Sequence, residues 1–284
     1  MRLRTQYLIL LILAIFWGSS FILMKEGLKV FSSVQVAAIR MFIAGVCLLP
    51  FIKKNDLKQA KGKWHYFLFS GLLGSGIPAI LFTIAQQHIS SSLAGALNGL
   101  TPLFALLVGV VFLNVKFNKF KFAGVIFGLV GAFLLSSNEG ISFNTYSILV
   151  LFATLCYGIN VNIIKHKLGN YPSMLVAALP LAFLAIISLI VLSFTGITFH
   201  FANDQFVKSS IAMLLLSVVG TAISLVMFNK LIKSTTAVFA ASVTYLIPIV
   251  ALFWGFLDNE VISINQMSGL GFILIAIYLI RKEN

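Results

Sequence analysis

Two stretches of this sequence, Gly74–Gly109 and Gly220–Gly255, align without a gap at an offset of 146 residues. Nine of the 36 aligned positions are identical, among them Gly74/Gly220, Phe82/Phe228, Pro102/Pro248 and Gly109/Gly255. Apolar segments match easily, so nine identities alone carry little weight. A proline and two glycines kept at one offset inside hydrophobic runs carry more. A duplicated apolar half is a recurrent plan among membrane transporters, and it commits the chain to two similar halves.

The apolar character extends well beyond the repeat. The 284 residues are 60% hydrophobic and 10% charged, with a mean hydropathy of +1.05. A soluble domain is about half apolar and about a quarter charged. One globular core cannot hide this excess, so lipid is the expected solvent. About 20 apolar residues cross a bilayer. Ten such spans are predicted, near 6–25, 33–52, 64–87, 92–113, 119–137, 145–165, 173–195, 209–230, 235–257 and 263–280. The longest connections, near 53–63 and 196–208, are too short to fold alone.

A net charge of +13 would suit a nucleic-acid partner, but its placement speaks for topology instead. With the N-terminus inside, sixteen of the twenty Lys and Arg fall in inner segments, including the run Lys53, Lys54, Lys58, Lys61 and Lys63. Lys25, Lys29 and Lys208 fall outside, and Arg40 lies within a span. This bias places both termini in the cytoplasm of a multi-pass protein expected in the cell (inner) membrane, and no nucleic acid is expected as partner. Arg2 and Arg4 before an apolar run resemble a signal peptide. The stretch Phe16-Trp17-Gly18-Ser19-Ser20 is a poor cleavage site, so the segment is expected to be retained. Cys47 and Cys156 fall in apolar stretches and read as packing residues, not a disulfide or metal pair.

The repeat also covers the other spans. At an offset of 140, Trp17-Gly18 falls on Tyr157-Gly158, Ser20 on Asn160 and Lys25 on Lys165. Spans 5 and 10 align through Gly124 and Gly269. Each half holds five spans, residues 1–138 and 139–284. Five is odd, so the second half must enter the membrane from the opposite side. The expected fold class is an all-α membrane protein with ten transmembrane helices in two inverted five-helix repeats. Inverted repeats supply two conformations related by exchanging the halves, which is the geometry of alternating access.

The segments AIFWGSSFILMK, AAIRMFIAGVCLLP, SSSLAGALNGLTPLFALLVG and TTAVFAASVTYLIPIVALFWG occur in that order, with the last two related by the repeat. In this the chain resembles the EamA-type family of the drug/metabolite transporter superfamily, as two tandem units. The resemblance implies ten helices, a central cavity between the halves, and transport of small metabolites, often amino acids and often outward. Departures are visible. Where such families often show Gly-Glu after the fourth span, this chain reads Leu113-Asn114, while Glu260 is kept in the second unit. Span 6 has Tyr157 for Trp17, and span 7 has Pro180 for Arg40.

Pro102 and Pro248 lie near the middle of spans 4 and 9. Proline deprives the carbonyl four residues earlier of its partner, here Asn98 and Thr244. Backbone freed at that depth must be satisfied by protein, water or ligand. Thr101 and Tyr245 lie beside these breaks, and a neighbouring hydroxyl capping the freed group is the plain structural alternative. Ser20/Asn160 and Thr83/Asn229 are further polar pairs under the repeat. Any one of them could simply bond its neighbour, at about 0.6 kcal/mol. Arg40 sits about 10 Å below the outer end of its span. A guanidinium there needs a partner, for which Glu26, a freed carbonyl or a substrate carboxylate are the options. Glycines Gly71, Gly74, Gly76, Gly124, Gly128 and Gly131 read mainly as packing residues.

The carboxylates lie away from the bilayer centre: Asp56 and Glu283 inside, and Glu26, Glu139, Asp204, Asp258 and Glu260 outside or at the interface. This disfavours a mechanism in which an embedded carboxylate binds cation and proton in turn. His65, His88, His166 and His200 are scattered, which leaves a membrane enzyme little acid–base chemistry and no catalytic set. No cofactor or metal is expected. The expected function is secondary transport, read as export, of a small polar metabolite such as an amino acid. Trp17, Ser20, Arg40, Asn98, Thr101, Asn160, Asn229, Thr244 and Tyr245 are the expected cavity residues. The bilayer and a small-molecule substrate are the expected partners, with a homodimer open. A lipid-linked-sugar flippase is the alternative, and a membrane enzyme a weaker one.

Overall fold

The computed structural model describes residues 1–89, 91–116, 118–135, 145–196, 203–257 and 264–281, and all its regular elements are helical. In chain order they are α1 (Leu3–Leu28), α2 (Ser33–Leu48), α3 (Lys54–Ala60), α4 (Trp64–Ala85), α5 (Ser91–Asn98), α6 (Thr101–Leu113), α7 (Lys119–Leu135), α8 (Thr145–Lys167), α9 (Ser173–Thr195), α10 (Asp204–Ser234), α11 (Ala237–Ala241), α12 (Val243–Leu257) and α13 (Ile264–Arg281). Six of these segments are long and apolar enough to cross a membrane: α1, α2 with a short extension to Phe51, α4, α8, α9 and α10. Thr101–Leu113, Ala237–Val250 and Met267–Ile280 are apolar but shorter. Large apolar side chains cover the outside, with Phe194 86% and Phe112 75% exposed, as suits an integral membrane protein. The expected boundary between the halves, and Glu139, His200, Asp258, Glu260, Lys282 and Glu283, lie outside the described residues.

Local chemistry sets the helix ends. Ser32 opens α2 with a reciprocal capping box: Gln35 N donates to Ser32 Oγ, and Ser32 N donates to Gln35 Oε1. Asn203 caps α10 by accepting from Gln205 N and Phe206 N, and Thr236 caps α11 by accepting from Phe239 N. Asn114 closes α6 in the left-handed region, at φ 52°. After glycine, asparagine is the residue that most readily takes this conformation at a helix C-terminus. The basic stretch after α2 forms the short helix α3, where only a loop was expected.

The two prolines act differently from a simple kink. Pro102 stands in the first turn of α6, after a full break between Asn98 and Thr101. A proline at a helix start loses no hydrogen bond. Pro248 is inside α12, and the chain breaks ahead of it at Ser242. Two further irregularities were not expected. Helix α4 widens to a π turn at Leu72–Gly76, and α10 does so at Val218–Ile223. These turns start 146 residues apart, the offset of the sequence repeat. Single π turns inside α-helices are frequent at functional sites.

The packing pairs each half with the other. Helix α1 packs on α10 and α12, and its repeat counterpart α8 packs on α4 and α6. Likewise α2 packs on α9, and α7 on α13. Glycine makes these approaches close. A Cβ on Gly18 would stand 2.7 Å from Cβ of Val250, and one on Gly158 would stand 2.6 Å from Cβ of Phe104. Gly18 and Gly158 are equivalent in the repeat, as are Phe104 and Val250. Gly131 meets the carbonyl of Gly269, so α7 and α13 touch backbone to backbone, as small residues permit between membrane helices. Cys47 and Cys156 are free thiols.

Candidate functional site

A cavity of about 100 Å³ lies between the halves. One water needs roughly 10–15 Å³ by this measure, so the space suits a small solute. Trp17, Ser20, Arg40, Asn98, Thr101, Asn160 and Thr244 line it, as the sequence predicts. Tyr245 and Asn229 do not. Tyr245 is fully buried between α12 and α7, where its hydroxyl donates to Val125 O at 3.1 Å. Asn229 is buried away from the cavity, and its Oδ1 has no partner. Thr83, its repeat counterpart, donates back to Ala79 O and Ile80 O within α4.

The helix breaks bring Asn98, Thr101 and Thr244 to the cavity wall. Thr101 Oγ1 donates to Asn98 O at 2.8 Å, so a neighbouring hydroxyl caps the carbonyl freed by the break. Thr244 Oγ1 donates to Ala241 O at 3.0 Å across the break ahead of Pro248. Both threonines therefore serve the local backbone while facing the cavity.

The two π turns supply the opposite wall. Ser20 rests on Gly220 in the α10 turn, and Asn160 rests on Gly74 in the α4 turn. Ser20/Asn160 and Gly74/Gly220 are each repeat pairs, so one contact occurs twice with the halves exchanged. Aromatic pairs repeat the pattern. Trp17 meets Phe228 edge to face at 4.9 Å, and Tyr157 stacks on Phe82 at 6.1 Å. Trp17 Nε1 also donates to Gly220 O at 3.1 Å, which satisfies a carbonyl of the π turn. Thr221 and Ser224 hydroxyls donate to Leu216 O and Val219 O, five residues back, and hold the turn open. Sequence reasoning missed Phe82, Phe228 and Thr221 as wall residues. The identity of Phe82 and Phe228 at the repeat offset was the available signal.

Arg40 reaches the cavity from α2. Its Nε donates to Thr221 Oγ1 at 2.7 Å. Glu26, an expected partner, is engaged elsewhere: it pairs with Lys29 at 2.5 Å and accepts from Gln205 Nε2 at 2.7 Å. Among the described residues no carboxylate pairs with Arg40.

These features describe a helical membrane protein of two similar halves around a solute-sized internal space. The chain belongs to the EamA-like transporter family, whose model matches it twice, over residues 4–137 and 144–282. It is 24% identical over 273 residues to the uncharacterized inner membrane transporter YedA of Escherichia coli strain K12, covering 94% of this chain and 88% of that protein. It is 25% identical over 272 residues to the uncharacterized transporter YoaV of Bacillus subtilis, covering 93% and 92%. A WAT1-related chloroplastic protein of Arabidopsis thaliana is 24% identical over 281 residues, covering 94% of this chain and 67% of that one. One solved crystal structure, 15% identical, superposes with a TM-score of 0.76 over 97% of this chain and 96% of that chain, so the fold is shared.

Proposed function

We propose that this chain is a secondary transporter that moves a small polar metabolite, such as an amino acid, by alternating access through the central cavity, with export as its direction. In this reading ten spans form two inverted halves in the inner membrane, with both termini cytoplasmic. One observation carries it. The contacts around the cavity, Ser20 on Gly220 and Asn160 on Gly74, recur with the halves exchanged. Such pseudo-symmetry lets the halves exchange roles, which is the geometric basis of alternating access. The size of the cavity supports a small solute over a lipid-linked sugar, and its wall supports binding over chemistry. Partners are the bilayer and the solute.

Counterflow in proteoliposomes tests the proposal. Purified protein is preloaded in turn with amino acids, organic acids, sugars and nucleosides, and uptake of the labelled compound is followed. Exchange of one class is expected. A correctly folded protein that exchanges none of them sinks the transport reading.

A further inference from the structure

A second cavity, of about 470 Å³, lies where α10 gives way to α11. Its size is within the roughly 300–1,000 Å³ of small-ligand pockets. Three lysines from three helices line it: Lys121 in the first turn of α7, Lys165 in the last turn of α8 and Lys233 in the last turn of α10. All three are half-buried, and no carboxylate lines the cavity among the described residues. Lys165 uses its three donors on the carbonyls of Ile232, Lys233 and Thr235, so its hydrogen bonds are met while its charge is not. The ammonium groups of Lys121 and Lys233 have no partner among the described residues. Thr236 Oγ1 accepts from Phe239 N, which leaves its own proton free. The cluster is not inherited from the repeat. The counterparts of Lys121, Lys165 and Lys233 are Gln266, Lys25 and Gln87, and Lys25 is exposed.

We propose that this cavity binds a phosphate group, carried by an anionic phospholipid or free in solution. Resting on the topology proposed above, it opens on the cytoplasmic face, where basic pockets between helices meet anionic headgroups. Like charges gathered in a half-buried place repel with little screening, and an anion between them removes that cost. Lysine is a rotatable point-charge donor, suited to oxygens that point in several directions; a planar carboxylate favours the fork of arginine. Lys121, Lys233 and the Thr236 hydroxyl donate to the phosphate oxygens, and Lys165 holds a fixed positive charge beside them. Leu3, Phe239 and Ile280 give the wall an apolar part, which an acylated glycerol covers and a free phosphate does not. Lys121 belongs to the first matched family unit, and Lys165 and Lys233 to the second. An occupant therefore ties the two units together and stabilises the folded chain.

The test uses purified full-length protein in detergent. Binding there depends on neither sidedness nor transport, so its failure leaves the transport reading standing. Unfolding temperature is followed against dioctanoyl phosphatidylglycerol, dioctanoyl phosphatidylcholine, glycerol phosphate and inorganic phosphate. Phosphatidylglycerol should give a saturable rise of about 2–4 °C or more. Phosphatidylcholine, whose ammonium opposes the lysines, should give none. An equal rise with inorganic phosphate and glycerol phosphate identifies the free anion as the ligand, and a rise confined to the lipid identifies the headgroup. Lys121→Gln combined with Lys233→Gln should weaken the active probe roughly tenfold or more. Lys54→Gln combined with Lys58→Gln removes the same charge from α3, which does not line the cavity, and should leave affinity unchanged.

No rise with any anionic probe overturns the proposal. So does a folded Lys121→Gln, Lys233→Gln protein with unchanged affinity. An equal loss in the α3 variant overturns it as well, by making the effect one of overall charge, and so does phosphatidylcholine acting as strongly as phosphatidylglycerol. If the cavity variant fails to fold, the wild type still decides. A saturating probe should shield Lys121 and Lys233 from an amine-acetylating reagent, read by mass spectrometry, and no shielding removes the site. Glu283, shortly after Ile280, lies outside the described residues. Binding by Glu283→Gln with the wild type inert would make the anion of the cavity an internal carboxylate and overturn the proposal.

Discussion

Ser20 lies against Gly220 with its Oγ 2.7 Å from the place a Cβ would occupy. The hydroxyl donates to Phe16 O at 2.7 Å, so swinging aside would cost it that bond. Asn160 meets Gly74 in the same way. The central contact between the halves thus depends on the absence of two methyl groups.

Gly220→Ala is therefore expected to destabilise the protein by about 1–3 kcal/mol, the usual cost of overfilling a packed site. Adding Ser20→Gly should return most of the loss. Thermal unfolding of the two variants measures both effects, and a Gly220→Ala protein as stable as wild type would show that the contact is loose.

Neighbours on one helix turn should separate by function. Tyr245→Phe removes the hydroxyl that satisfies Val125 O and should cost about 1–2 kcal/mol of stability. It should leave solute binding intact, because Tyr245 faces α7. Thr244→Ala and Asn98→Ala line the cavity and should weaken stabilisation by solute. Equal losses of solute binding in all three would undo this division.

Lys165 Nζ donates to Ile232 O at 3.0 Å and Lys233 O at 3.3 Å, and also to Thr235 O, at the C-terminal end of α10. Cations near a helix C-terminus bond its unmatched carbonyls and oppose its dipole. Lys165→Met keeps the stem and loses the donors, so stability should fall by about 1–3 kcal/mol, again read from thermal unfolding. No change would mean that water replaces the ammonium.

The proposed inversion predicts a pattern for reporter fusions. Alkaline phosphatase joined after Val30 or Thr195 should be active, and after Lys61 or Gly169 silent. Activity at Gly169 with silence at Thr195 would show that both halves enter the membrane from one side.

Much of this was legible in the sequence because periodicity and offset are properties of the chain. The lipid-facing composition and the repeat led to the helical membrane fold; seven of the nine expected residues line the cavity, and Arg40 among them was marked by its charge within a span, not by the repeat. Which face of a helix meets the cavity was not legible. Thr244 and Tyr245 are adjacent, and only packing against α7 decides that one lines the space and the other does not. The π turns escaped for a related reason. Their cause is tertiary: Trp17 from another helix satisfies Gly220 O, while Thr221 and Ser224 take the carbonyls five residues back. Of the partners open to Arg40, Glu26 is drawn to Lys29 and Gln205, and the side chain bonds the Thr221 hydroxyl, which the sequence did not single out.

Arg40 faces the cavity, while its repeat counterpart Pro180 presses its carbonyl and ring on Gly71. Under the proposed alternating access, exchanging the halves does not map the molecule onto itself, and the two facings differ in free energy. The empty carrier then rests mostly on one side. Half-saturation should differ between the two faces, and maximal rates should differ in compensation, because the Haldane relation fixes their ratio when no gradient is applied. Direction would then belong to the gradient and the solute pools, and the asymmetry of the chain would set how readily each pool is sampled.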